Sequence, residues 1–179
     1  HGSITGVTLD ETGLLGTTTG VWDGAGDNIA VPNSNNLNPG SGEYTFWFWY
    51  NTTDASNVSQ NGNMVEKDIF GSGYGIREDG GDMQVVVGDG GSTVSVRETN
   101  HGTFDGNWHS LCVVWSPPDL NLYIDNINVQ SSSGSIGAIS NTQDLNFGSR
   151  TGNDKDYSGK LADMRGWSRA LSSSEISTL

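Results

Sequence analysis

Cysteine is nearly missing from this chain: Cys112 is the only one in 179 residues. No internal disulfide can therefore hold the fold. Cys112 lies in Leu111-Cys112-Val113-Val114-Trp115, with no His or Asp pattern to activate a thiolate, so it reads as a small buried filler. Basic residues are also scarce. Eight Lys and Arg stand against 21 Asp and Glu, a formal net charge of −13. The phosphates of a nucleic acid would be repelled, so no nucleic-acid partner is expected. No apolar run reaches the length of a bilayer-spanning helix, so no membrane insertion is expected, and no heptad pattern marks a coiled coil. No secretory signal opens the chain. His1-Gly2-Ser3 resembles the remnant of an expression tag, so residues 1–3 are set apart and 4–179 are read as one domain.

What is present is turn chemistry and short apolar alternations. Glycine contributes 26 residues, and Asn, Ser, Thr and Asp fill the spaces between strand-like runs. Residues 104–129 show the pattern best. His109 to Trp115 is an apolar run, Pro117, Pro118 and Asp119 break it, and Leu120, Leu122 and Ile124 then alternate with Asn121 and Tyr123. Asp125-Asn126 is a turn, and Trp108, Cys112, Val113 and Val114 are expected in the core. Residues 43–51 form the most aromatic strand. Tyr44, Phe46, Phe48 and Tyr50 share one face and Thr45, Trp47 and Trp49 the other, which predicts a central strand covered on both sides.

Further strands are predicted at 28–31, 64–66, 74–78, 83–87, 92–98, 145–148 and 159–167, with a hairpin turn at Asp79-Gly80-Gly81-Asp82. Lys67 falls in a predicted loop, 67–73, and residues 131–140 in another. Simple alternation along 159–167 puts Leu161, Asp163, Arg165 and Trp167 on one face. The one helical signal is Ser172 with Glu175 three residues on, a capping box.

Four segments together resemble the laminin-G-like jelly-roll domains of the concanavalin A-like lectin/glucanase group. They are Trp22-Asp23-Gly24-Ala25-Gly26-Asp27-Asn28-Ile29-Ala30-Val31-Pro32, the aromatic strand with Trp49, and Asp105-Gly106-Asn107-Trp108-His109 followed by Leu122-Tyr123-Ile124-Asp125. The fourth runs from Phe147-Gly148 through Tyr157-Ser158-Gly159-Lys160-Leu161-Ala162-Asp163-Met164-Arg165 to Arg169-Ala170-Leu171-Ser172 and Glu175-Ile176. Asn126 stands where that family usually has Gly, and Asn tolerates the left-handed conformation the turn needs. The resemblance implies an all-β fold of two antiparallel sheets packed as a jelly-roll β-sandwich, in an extracellular or cell-surface setting. It leaves function open, because the group holds lectins, adhesion domains, hydrolases and lyases.

Sugars are bound by stacking on Trp or Tyr and by hydrogen bonds from Asp, Asn and Arg. The carbohydrate-binding candidates are Trp47, Trp49 and Arg77, with Asn153, Asp154 and Asp156 on a rim loop. Two readings of the Trp47–Trp49 pair stand: a stacking platform, or rings packed beneath a covering segment. The resemblance implies a structural Ca²⁺ on Asp163, with Asp10, Asp23 and Asp27 as loop ligands, and Arg165 is the rival partner of Asp163. The glucanase pattern E-x-D-x-x-E is missing, and Glu66-Lys67-Asp68 has only its first spacing, at a predicted strand end. The reading is a non-catalytic carbohydrate-binding module that takes a glycan or polysaccharide. The alternatives are an adhesion module with a surface protein as partner, and a glycoside hydrolase or polysaccharide lyase.

Overall fold

The aromatic strand β5 (Tyr44–Asn51) lies at the centre of its sheet and is covered on both faces. The computed structural model describes residues 2–10, 14, 19–53, 62–69, 71–99, 102–150 and 155–179, without the side chains of Asp10 and Ile69. Across the seven-stranded sheet of β5 the order is β12 (Ile127–Ser133), β11 (Asp119–Ile124), β10 (His109–Ser116), β5, β14 (Ser158–Trp167), β3 (Thr19–Asp23) and β2 (Thr8–Asp10). The second seven-stranded sheet runs β1 (Ser3–Thr5), β4 (Asn28–Val31), β13 (Leu145–Phe147), β6 (Asn63–Ile69), β7 (Ser72–Asp79), β8 (Asp82–Asp89) and β9 (Thr93–Glu98). Every described pairing is antiparallel. Distant segments become neighbours, β13 between β4 and β6 and β14 between β5 and β3, as a jelly-roll sandwich requires.

The inner faces meet in one apolar core. Tyr44, Phe46, Phe48 and Tyr50 of β5 pack there with Leu111, Val113, Leu120 and Leu122 from their own sheet and Met64, Ile76, Val85, Val96 and Phe147 from the other. The outer face of β5 has its own cover. The helical turn α1 (Ser173–Ile176) and the segment before it place Leu171 and Ile176 on Trp47, Cys112 and Val114. The capping box fixes that turn: the Ser172 hydroxyl accepts the Glu175 N–H at 3.3 Å, and Glu175 accepts the Ser172 N–H at 2.9 Å. Thr45 stitches the segment to β5, donating to the Arg169 carbonyl at 2.8 Å and accepting the Leu171 N–H at 3.0 Å. Burial pushes the Cys112 thiol up to about 12, so it is inert at neutral pH.

The turns hold as the sequence predicts. Gly80 and Gly81 have φ of 66° and 90°, and Asp125 and Asn126 have 50° and 66°, the left-handed pairs that suit two-residue hairpins. Other expectations need correction. β6 runs through to Ile69, so Lys67 is a strand residue; it is buried because its Nζ donates to Asn33 at 2.8 Å, Asn141 at 3.0 Å and the Gln143 carbonyl at 2.6 Å. β12 extends to Ser133 inside the predicted loop. Trp108 is half-buried rather than core. The alternation along β14 breaks, with a register shift between Ala162 and Arg165 and Asp163 in the left-handed region at φ 51°.

His109 ties the start of β10 to the β11–β12 turn. Its Nδ1 lies 2.7 Å from Asp125 and its Nε2 lies 3.1 Å from Asp105. Burial lowers the imidazole pKa, but the hydrogen bonds and charges of Asp125 and Asp105 outweigh it and leave the value raised. The Asn107 amide, its side chain and His109 hold Asp105 down at about 2. The histidine's contribution is complete below its unfolded pKa of about 6.5 and is lost as pH rises through its raised folded value. That of Asp105 is complete above about 4 and is lost as pH falls through about 2. Replacing His109 by Gln is therefore expected to lower the melting temperature most near pH 5.5 and least near pH 9. A Tm gap equal at both pH values would remove the charged clamp from the account.

Candidate functional site

The bulge at Asp163 decides what faces where on β14. Leu161 and Met164 turn inward to the core, while Arg165 and Trp167 turn outward beside Trp47 and Trp49. Leu161 and Trp167 thus lie on opposite faces, against the simple alternation. Asp163 is held in its left-handed turn by a bidentate pair with Arg165, Nε to Oδ1 at 2.8 Å and Nη2 to Oδ2 at 2.6 Å. The Arg165 guanidinium also sits 5.2 Å from the centroid of the Trp47 ring.

Trp47 itself is 1% exposed, edge-on to Trp49 at 5.9 Å, under Leu171 and Ile176. It cannot present a face to a sugar: of its two readings, the structure supports packing. Trp49 is half-buried in the same cluster. Arg77 is on β7, in the other sheet, so it does not neighbour the Trp47 strand; its Nε donates to Gln84 at 2.8 Å. Asn153 and Asp154 lie outside the described residues, as does the Asp10 side chain.

The remaining acidic candidates converge on one loop. Asp27 accepts the Asp23 N–H at 2.9 Å, Asp23 accepts the Ala25 N–H at 2.8 Å, and Asp156 accepts the Gly26 N–H at 2.9 Å. Oδ1 of Asp27 faces Gly6, where a Cβ would come within 1.8 Å of it. The loop therefore joins Asp23, Asp27 and Asp156, while Asp163 is engaged by Arg165. Among the described residues no three His, Cys, Asp or Glu side chains gather in a metal-holding group.

A larger hollow lies elsewhere. Described β3 residues pair with β14 along Ser158–Leu161, and the hollow lies farther along β14, at residues 164–168. Between the sheets there, a cleft of about 510 Å³ opens, within the range of small-molecule sites. Its walls are Leu37, Tyr44, Phe46, Leu145, Phe147 and Met164; Asn36, Arg165, Gly166 and Ser168 complete the lining. Phe46 and Phe147 stack across the two sheets at 6.2 Å. The Tyr44 ring lies 5.8 Å from Tyr74, whose hydroxyl donates to the Leu37 carbonyl at 3.2 Å. Burial raises the pKa of both phenols, so both stay neutral. A Cβ at Gly166 would lie 2.6 Å from the Tyr44 hydroxyl oxygen, so glycine keeps this wall in place.

The sequence reading treated Tyr44 and Phe46 as core and did not single out Phe147. The readable signal was Gly166, a glycine inside a strand where another group approaches closely. Glu66 and Asp68 lie near the end of β6, which stops at Ile69, and share its outer face, because Val65 between core neighbours fixes the alternation. Glu66 is 2% exposed, and its carboxylate occupies the space a side chain at Gly75 would fill.

A sequence model described as concanavalin A-like lectin/glucanases superfamily, of the laminin-G kind, matches residues 23–177. The chain belongs to this superfamily. Solved structures with the same fold include the binding domain of Paraclostridial Mosquitocidal Protein 1, at TM-score 0.83 and 18% identity, over 99% of this chain and 46% of that one. Another is the botulinum neurotoxin serotype D ligand binding domain in complex with N-acetylneuraminic acid, at TM-score 0.81 and 18% identity, over 99% and 45%. The binding domain of serotype G follows at TM-score 0.79 and 15% identity, with the same coverage. This member of the superfamily thus spans about half the length of the solved chains it matches. No curated protein sequence matches it.

If the Trp47 ring packs as described, Trp47→Ala is expected to cost about 3–5 kcal/mol of unfolding free energy. Urea denaturation measures it. A loss under about 1 kcal/mol would mean an exposed ring and restore the stacking reading.

Proposed function

We propose that the chain is a non-catalytic, lectin-like module of a secreted or cell-surface protein, and that it holds a glycan in the inter-sheet cleft. The observation that carries this reading is the cleft itself, an aromatic and aliphatic hollow with Asn36 and Ser168 at its polar lining. Sugars need this combination, ring faces for their C–H groups and neutral hydrogen-bonding groups for their hydroxyls. Membership of a superfamily that contains lectins supports it, as does a similar domain solved with N-acetylneuraminic acid. On a glycan array, wild-type protein is expected to bind at least one saccharide class. Gly166→Val, which pushes the Tyr44 wall into the cleft, is expected to lose at least tenfold in affinity with its circular dichroism unchanged. Undiminished binding by this variant would place the sugar elsewhere.

One observation favours a second reading. Residues two apart on a strand face are roughly 7 Å apart, so Glu66 and Asp68 have the spacing of a hydrolase's carboxylate pair. The non-catalytic reading expects no reducing-sugar release from any polysaccharide bound on the array. Release that disappears in Glu66→Gln would convert the module into a hydrolase.

We also propose a structural Ca²⁺ on the Asp23–Asp27 loop, held by those two carboxylates with backbone oxygens, while Asp163 is engaged by Arg165. Oxygen ligands from one Gly-rich loop suit this cation. Chelator is expected to lower Tm in the wild type and to have no effect on Asp27→Asn. Identical melting of wild-type protein in Ca²⁺ and in chelator would take the ion out of the reading.

A further inference from the structure

We infer that the sugar taken by the cleft is neutral and carries a methyl group, as a 6-deoxyhexose or an N-acetylhexosamine does, which it buries against the Phe46–Phe147–Met164 wall. This step rests on the cleft being the glycan site.

The walls set the first requirement. Phe46 and Phe147 are core rings, and Leu37, Leu145 and Met164 add aliphatic and thioether surface. A sugar hydroxyl pressed onto this surface would leave water without gaining a partner. A methyl group there gains from burial and finds close-packed contacts.

The remaining lining sets the second. Asn36 and Ser168 are uncharged and exposed. These groups offer both donors and acceptors, which suits hydroxyls better than it suits an anion.

Charge sets the third. Arg165 is the one cation among the described lining residues, and its guanidinium is turned to Asp163 and to the Trp47 ring on the outer face. It is already neutralised. The chain around it carries a formal net charge of −13, so a carboxylated or sulfated sugar would be repelled with no cation to receive it.

The three methionines supply the test. Met64 and Met83 are fully buried in the core, and Met164 alone lines the cleft. In protein labelled with ¹³C at the methionine methyls, L-fucose or N-acetylglucosamine is expected to move the Met164 resonance and leave Met64 and Met83 in place. L-Galactose and D-glucose, which lack the methyl, are expected to bind about tenfold more weakly. N-Acetylneuraminic acid is expected to bind more weakly than N-acetylglucosamine, by a margin that narrows as salt is raised. Ser168→Trp, a substitution at an exposed position that covers the mouth, is expected to abolish the Met164 shift. Binding of any saccharide that leaves Met164 unmoved would overturn the inference. So would equal affinity for L-fucose and L-galactose, or a preference for N-acetylneuraminic acid. Each of those outcomes leaves a glycan-binding module standing. If no saccharide on the array binds the wild type, the glycan reading falls first and takes this inference with it.

Discussion

A strand with large aromatic rings on both faces must be covered twice. β5 is that strand, and the architecture follows from its two demands. The second sheet covers Tyr44, Phe46, Phe48 and Tyr50. No third sheet covers Trp47. The chain instead folds its C-terminal segment back over the outer face and fixes it with the capping box, the Thr45 hydrogen bonds and the Arg169–Glu175 pair. These polar contacts are individually modest, but they hold Leu171 and Ile176 where they remove the Trp47 ring from water.

The bulge in β14 is the second constraint, and it belongs to the same problem. β14 must pair with β5 on both sides of Asp163 while presenting Met164 to the core and Arg165 to Trp47. Simple alternation cannot meet both demands, because the period of a strand is two. One inserted residue in the left-handed region resolves the conflict, and the Arg165 carboxylate pair holds that residue. A consequence is that Gly166 falls beside Tyr44. The cleft is thus a by-product of covering β5, lined by side chains that the core had already fixed.

The parts of this arrangement that depend on local chemistry could be read from the chain. The two-residue period of β5, the glycine and Asp-Asn turns and the Ser172–Glu175 capping box each lie within a few residues of one another. What failed was non-local. Lys67 looked like a loop residue because its three acceptors come from Asn33, Asn141 and Gln143, far away in sequence. Arg77 is close to Trp47 in sequence order, yet β6 and β7 follow one another into the second sheet, away from β5. The choice between the two readings of Trp47 turned on a segment more than a hundred residues further on. The candidate site suffered most, since its lining comes from segments around residues 36–46, 145–147 and 164–168, and no single one of them records it.

The acidity of the chain has a related logic. Half of its eight cations hold the fold together: Arg97 pairs with Asp79 and Asp82, Arg165 with Asp163 and Arg169 with Glu175, and Lys67 donates to three oxygens. Exposed pairs of this kind add little stability singly, but each removes a positive charge from the surface field. The excess carboxylates are then left to set the potential that an approaching ligand meets. Such a surface selects against anions at long range, before any contact in the cleft can act. Under the proposed binding in the cleft, shape and methyl burial would distinguish among neutral sugars, while charge would reject the acidic ones.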